Sequence, residues 1–296
     1  MNIGGSFSLE RPDITPDSAI VNRYIRGQRV LVTGAGGSIG SELCRQIVRG
    51  DPETLLLLGR GENSVFEIDQ ELSDQGGCGI LEPIIADVRD RPRLERVFAE
   101  RRPDVVFHTA AHKHVHFMER YADEAVKNNV IGTANVAQAS LDYGVSTFVL
   151  ISSDKAINPT SVYGATKKIA EYIAQDLAGG ATKFVVVRFG NVIRSRGSII
   201  PKLERQIRRG GPVTLTHPDM ERFFMSIPEA AYLVLQSGGI ARSGQVCVLD
   251  MGDPVRIVEL VHHLIEKAGF EPGKDIEIEI TGPSPGEKLV EELVIA

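Results

Sequence analysis

Short, wholly apolar runs recur along this chain, each separated from the next by room for a helix. Val30-Leu31-Val32 is the first, residues 55–58 the second, Ile84-Ile85 the third, Val105-Val106-Phe107 the fourth, 148–151 the fifth and 184–187 the sixth. A strand apolar on both faces is buried on both, which fits a parallel sheet covered by helices rather than an open antiparallel one. Between the runs, apolar residues fall at helical spacing over 38–49, 62–74, 91–101, 118–143 and 161–178. The alternation predicts an α/β fold: a doubly wound parallel sheet of Rossmann type with right-handed crossovers.

Beyond Phe189 the elements shorten. Gly, Pro and Arg crowd the chain through Pro218; then 229–236 reads as a helix, 246–249 as a buried strand, 256–267 as an amphipathic helix and 276–280 as a half-exposed strand. The expected organisation begins with an N-terminal arm over 1–27, loose to residue 17 and short, basic and amphipathic over 19–26. The sheet domain follows over 28–189. Residues 190–296 form mainly a smaller substrate lobe, with segments near 228–268 returning to the sheet domain.

Composition narrows the function classes. The 296 residues carry a formal charge of -6, so no global attraction to nucleic acid is expected and an anionic ligand must be held locally. The basic run 205–209 reads as a solvated helix face. Cys44, Cys78 and Cys247 are scattered, without metal-ligand spacing, and suggest free thiols in a reducing cytoplasm. The N-terminus has no signal-peptide core, and no run of ~18 apolar residues occurs, so this chain is expected to have no membrane span.

The first run ends in Thr33-Gly34-Ala35-Gly36-Gly37-Ser38-Ile39-Gly40. A strand, a glycine turn and a helix beginning near Ser38 form a phosphate cradle: the backbone can approach a pyrophosphate, and free helix N–H groups face it. The glycine spacing at 34, 37 and 40 resembles that of the short-chain dehydrogenase/reductases. About 20 residues beyond such a turn an acid would bind a ribose 2′-hydroxyl. Here the second run ends in Gly59-Arg60-Gly61-Glu62-Asn63, where Arg60 can pair with a 2′-phosphate, favouring NADP. The alternative has Glu62 at the ribose and Arg60 as a loop residue. Asn63, Asp87-Val88 after the third run, and Ala110-Ala111 after the fourth are further expected cofactor contacts. His112, His114 and His116 alternate as a metal site might require, but no acidic or cysteine cluster accompanies them; lining the site is the preferred reading, and no metal is expected. His262 and His263 read as helix-surface residues.

Tyr163 and Lys167 are four apart on a predicted helix and share a face, so the ammonium can lower the tyrosine pKa and bind the nicotinamide ribose. At the carboxyl end of the fifth run stand Ser153, Asp154 and Lys155. Alcohol oxidation uses the hydroxyl of Ser153. Elimination additionally needs a base and an acid, roles open to Lys155 and Asp154. The alternative is an Asp–Lys pair that merely caps the loop.

These motifs, with Ala110-Ala111-His112-Lys113-His114-Val115, Asn158-Pro159, Tyr163-Gly164-Ala165-Thr166-Lys167, Arg188-Phe189-Gly190-Asn191-Val192, Thr216-His217-Pro218 and Arg222-Phe223-Phe224-Met225, resemble the UDP-N-acetylglucosamine 4,6-dehydratases of polysaccharide biosynthesis and flagellin glycosylation. The likeness runs from about Tyr24 to Glu292. It implies a tightly bound NADP recycled within each turnover. Tyr163 takes the O4 proton as hydride leaves C4, Lys155 removes the C5 proton, Asp154 protonates the departing C6 hydroxyl, and hydride returns to C6. It further implies that Lys113, His114, Asn191, Ser198, Pro201, Thr214, Arg222 and Glu287 lie around a UDP-N-acetylhexosamine, and that the chain forms a homo-oligomer through the helices near 118–143 and 161–178. The opening is most similar to the cytoplasmic half of large membrane-anchored members, many of which have methionine at the position of Tyr163. Tyrosine matches soluble members, which often invert C5. Relatives usually continue beyond the Pro285-Gly286-Glu287-Lys288 region, so the chain is either naturally short or an excised domain. The alternatives are a UDP-sugar 4-epimerase, which needs no elimination pair, and a silent NADP-binding regulator.

Overall fold

All six apolar runs become strands of one sheet. They are β1 (Arg29–Thr33), β2 (Thr54–Gly59), β3 (Leu81–Ile85), β4 (Val105–His108), β5 (Thr147–Ile151) and β6 (Lys183–Arg188). Later strands are β7 (Asn191–Val192), β8 (Val213–Leu215), β9 (Glu221–Arg222), β10 (Phe224–Met225), β11 (Val246–Val248), β12 (Val255–Arg256) and β13 (Ile278–Ile280). The computed structural model describes residues 18–294 except Cys78, so the arm expected over 1–17 and the Cys78 thiol lie outside the described residues. The main sheet runs β11-β6-β5-β4-β1-β2-β3 with every pair parallel. Winding reverses between β1 and β4, and the crevice beyond their carboxyl ends is where such sheets bind ligands.

Each apolar run divides its side chains between two cores. Val30, Val32, Leu55, Leu57 and Phe107 face α1 (Ser18–Ile25), α2 (Ser38–Val48), α3 (Glu62–Leu72) and α10 (Ile227–Ile240). Leu31, Leu56, Leu58, Val106 and Phe148 face α4 (Arg91–Arg101), α7 (Gly132–Asp142) and α8 (Val162–Asp176). Side chains alternate across a strand, so a wholly apolar run supplies both layers at once. Caps fix the helix starts: Asp90 accepts the Arg93 N–H at 3.1 Å, and Ser161 accepts that of Gly164 at 3.0 Å.

The single helix expected over 118–143 is interrupted. α5 (Val115–Arg120) stops at Tyr121, α6 (Ala122–Ala125) restarts, and a wide-turned stretch over Val126–Ile131 leads into α7. Polar contacts inside the protein account for the wide turn. Asn129 is buried, its side chain accepting the His112 N–H at 2.8 Å and donating to the His112 carbonyl at 2.9 Å. Those bonds tie the segment to the loop after β4.

α10 packs in the first core of the sheet, and β11 is its edge strand. α11 (Ile257–Lys267) instead shares a separate core with α9 (Ile199–Arg208) and β8. β11 is half-buried rather than buried, because it is the sheet's edge. The expected half-exposed strand is β13, paired parallel with β8. His262 and His263 are exposed on α11. Cys44 and Cys247 are free thiols. Among the described residues, no helix is long and apolar enough to cross a membrane.

Candidate active site

Two adjoining cavities occupy the crevice, of about 540 and 280 Å³. The smaller lies over the glycine turn and the ends of β2 and β3; Gly34, Gly36, Arg60, Asp87, Val88 and Ala110 line it. Gly37 and Ala111 line both cavities, and Ser38, Ile39 and Gly40 line the larger. Asn63 is exposed on α3 outside both cavities, and its neighbour Ser64 takes the wall position.

The turn needs its glycines largely for its own packing. A Cβ on Gly40 would sit 2.1 Å from the Gly34 carbonyl oxygen, and one on Gly36 2.4 Å from that of Ser64. Gly34 turns with φ +69°. The result is a shallow backbone cradle at the start of α2, a fitting seat for a pyrophosphate. Asp87 is already engaged: Arg89 grips its carboxylate at 3.0 and 2.7 Å and holds it below the usual carboxylate range. Arg60 is exposed at the end of β2.

The larger cavity gathers Ser153, Lys155, Tyr163, Lys167, Asn191 and Arg222. Ser153 and Lys155 follow β5, and Tyr163 and Lys167 stand on the first turns of α8. Asp154 is fully buried behind this wall. Its Oδ1 accepts from the Ser153 hydroxyl at 2.8 Å and from Lys155 Nζ at 3.0 Å, while Oδ2 has no hydrogen-bond partner among the described residues. Lys155 Nζ also lies 3.4 Å from Asn191 Oδ1 and 3.3 Å from Glu291 Oε1.

The electrostatics differ from the expectation that Lys167 activates Tyr163. Burial raises the tyrosine pKa, and the opposing influences are the Ser153 hydrogen bond and Lys155. Lys167 donates instead to the Ile151 carbonyl at 2.6 Å. Burial brings its pKa down to about 8, against the pull of Glu171. Burial also depresses Lys155, but Asp154 and Glu291 outweigh it, and the net direction is up.

Lys113 and His114 line the larger cavity. Lys113 Nζ donates to Ser195 Oγ at 3.2 Å, and burial lowers the pKa of Lys113 and of His114. The ring of His114 packs with His116 and Phe117, and a Cβ on Gly197 would meet it at 2.4 Å. Among the described residues, no group of three or more His, Cys, Asp or Glu side chains is placed to hold a metal. Ser198 lines the cavity, its hydroxyl buried without a partner among the described residues. Glu287 lines it too, 3.5 Å from Arg222 Nη2. Pro201 and Thr214 do not reach either cavity. Pro201 lies within α9, and the Thr214 hydroxyl on β8 accepts from Gln206 Nε2 at 2.9 Å.

The residue pattern did not single out three further groups of the site. Arg196 lines both cavities, and its N–H donates to Ser38 Oγ at 3.0 Å, joining lobe to glycine turn. Glu171, fully buried, accepts from Ser152 Oγ and from Arg188 Nε and Nη2, each at 2.6 Å, beneath the end of β5. Glu291 reaches Lys155 from far along the chain. The only available hint for Arg196 was the arginine density of its segment.

Known proteins resemble this chain over nearly its whole length. The chain is 53% identical over 289 residues to the capsular polysaccharide biosynthesis protein CapD of Staphylococcus aureus, covering 97% of this chain and 48% of that protein. It thus spans about half the length of that relative. It is 32% identical to a UDP-N-acetylglucosamine 4,6-dehydratase (inverting) of Campylobacter jejuni, covering 90% of this chain and 78% of the relative. A UDP-glucose 4-epimerase of Rickettsia akari stands at 31%, covering 90% and 77%. The solved structure of Pen from Bacillus thuringiensis superposes with a TM-score of 0.85 at 35% identity, covering 92% of this chain and 85% of that one. Residues 30–296 match the family model described as polysaccharide biosynthesis protein. With its seven-stranded parallel sheet and its Ser153–Tyr163–Lys167 constellation, the chain belongs to that family of extended short-chain dehydrogenase/reductases.

Proposed function

We propose that this chain dehydrates UDP-N-acetylglucosamine, or a closely related UDP-N-acetylhexosamine, to a UDP-4-keto-6-deoxy sugar, with NADP held in the crevice. The observation that carries this reading is the Asp154–Lys155 pair, with Lys155 on the same cavity wall as Ser153, Tyr163 and Asn191. The relative named as a 4,6-dehydratase supports it. A nicotinamide dinucleotide bound here supplies the acceptor for hydride from C4 and its donor to C6.

The protein's own groups handle the protons. Tyr163 takes the O4 proton as the phenolate, the form that the Ser153 hydroxyl and the Lys155 ammonium favour against burial. The new ketone acidifies the C5 proton. Lys155 rests as an ammonium, and one transfer along its 3.0 Å hydrogen bond to Asp154 leaves a free amine and a carboxylic acid together. The amine takes the C5 proton, and the C–H electron pair becomes the enolate. The C6–O bond then breaks, and Asp154, buried behind the wall, gives its proton through the Ser153 hydroxyl, bonded to its Oδ1 at 2.8 Å, to the departing hydroxyl, which leaves as water. Lys155 is again an ammonium and Asp154 a carboxylate; as hydride adds at C6 the ammonium returns its proton to C5, and the proton held by Tyr163 then restores the Lys155 ammonium. Asn191, Ser198 and Arg222 orient the diphosphate. Arg60, with Asp87 already neutralised by Arg89, meets the 2′-phosphate that distinguishes NADP.

The test is mass spectrometry of the product from UDP-N-acetylglucosamine. Loss of one water is expected. The relative named as an epimerase supports a second reading, 4-epimerisation. A product of unchanged mass with an inverted C4 would establish that reading and remove the elimination.

A further inference from the structure

Glu291 is 4% exposed, and its carboxylate ends 3.3 Å from the Lys155 amine. A strap over 284–293 delivers it. Lys288 Nζ donates to the Ile157 carbonyl at 2.8 Å, and Thr160 Oγ1 to the Gly286 carbonyl at 3.1 Å. Arg222 donates to the carbonyls of Lys288 and Leu289 at 2.8 and 3.0 Å. Gly286 turns with φ +77°, and a Cβ there would lie 2.8 Å from that of Ser161. The strap is therefore fastened to the loop that carries Lys155 on one side and to Arg222 on the other.

We propose that Glu291 is a positioning residue for the elimination, acting through Lys155: it holds the amine at the cavity wall and makes it a strong base. The proposal rests on the dehydratase reading. The proton beside a ketone is weakly acidic, so the strength of its acceptor enters the rate. If Asp154 were the only carboxylate, handing it the proton would dissolve the ion pair that places the amine. With Glu291 present, the neutral amine still donates a hydrogen bond and keeps its place. The groups facing Lys155 are the carboxylates of Asp154 and Glu291, the guanidinium of Arg222, the phenol of Tyr163 and the amide of Asn191. Burial and Arg222 oppose the ammonium, and the two carboxylates prevail.

The experiment uses the intact chain with NADP+ and UDP-N-acetylglucosamine, following deuterium uptake at C5 against pH. A separate 15N NMR titration follows Lys155 Nζ in the protein without sugar. E291Q removes one anion, so the alkaline limb of the rate profile, where the Lys155–Asp154 pair loses its proton, and the Nζ titration both move to lower pH. The plateau rate falls roughly tenfold because the base is weaker, with KM unchanged. E291D, which keeps the charge at shorter reach, falls between the two. Should E291Q fail to fold, E291D alone must show a limb below that of the parent. An unmoved limb and titration, or an effect confined to KM, overturns the proposal. A parent that turns over no UDP-sugar, while E291Q still moves the Nζ titration, overturns the dehydratase reading and leaves the Glu291–Lys155 coupling standing.

Discussion

Lys155 has two acidic neighbours, and that makes its resting charge and its proposed task opposite. Removing it tests the task. Lys155→Ala is expected to lower dehydration by at least about 100-fold while NADPH binding, read by fluorescence, stays within twofold. Full dehydration by the variant would end the assignment. Arg60→Ala is expected to weaken NADPH about tenfold and leave NADH unchanged, the cost of one charged hydrogen bond at a partly solvated site; no loss for either would leave Arg60 a loop residue and Glu62 at the ribose. Lys167 makes a pH prediction. Its folded pKa, about 8, lies below the ordinary 10.5, so the unfolded chain binds more protons between those values. The destabilisation from burying the charge is complete below pH 8 and is relieved as pH rises toward 10.5. Urea midpoints of the parent should therefore climb with pH in that window relative to Lys167→Met. Ser153, Asp154, Lys155 and Tyr163 were legible as neighbours because strand end and helix start lie close in sequence. Glu291 was not, because only the folded strap brings it near.

Among the elements, the β1–α2 turn shows why a motif can be read correctly for an incomplete reason. Its glycines suggested access for a ligand, but Gly36 and Gly40 are demanded first by the chain's own carbonyls. Gly40→Ala should cost about 3 kcal/mol in urea denaturation and abolish dinucleotide binding, since the Gly34 carbonyl cannot yield without opening the turn. An alanine variant of parental stability would contradict that packing. The six sheet runs were legible because apolar runs bounded by turns have few other solutions. The wide turn over Val126–Ile131 was not, since it is set by the tertiary bonds of Asn129, which helical spacing does not encode.

At the scale of the molecule, sheet and lobe meet across the crevice, and the bond from Arg196 N–H to Ser38 Oγ crosses between them. That the sheet is parallel and doubly wound was legible from alternation and handedness, whereas the lobe's small paired strands gave too little periodicity for placement. One face keeps large apolar residues in water: Phe117, Tyr121, Val126, Ile131, Ile169 and Tyr172 on α5 through α8. We expect a second copy to cover it. Ile169→Glu combined with Tyr172→Glu should then convert the parent to a monomer in size-exclusion chromatography with light scattering; a parent already monomeric would refute this.

The strap follows the sheet and the lobe in chain order, which has a temporal consequence. During synthesis, the dinucleotide crevice can assemble while residues 284–293 are still within the ribosome. A nascent chain would thus acquire its shape, and its capacity to bind a nucleotide, before its amine gains a second carboxylate neighbour. Maturation of chemistry would lag behind maturation of form.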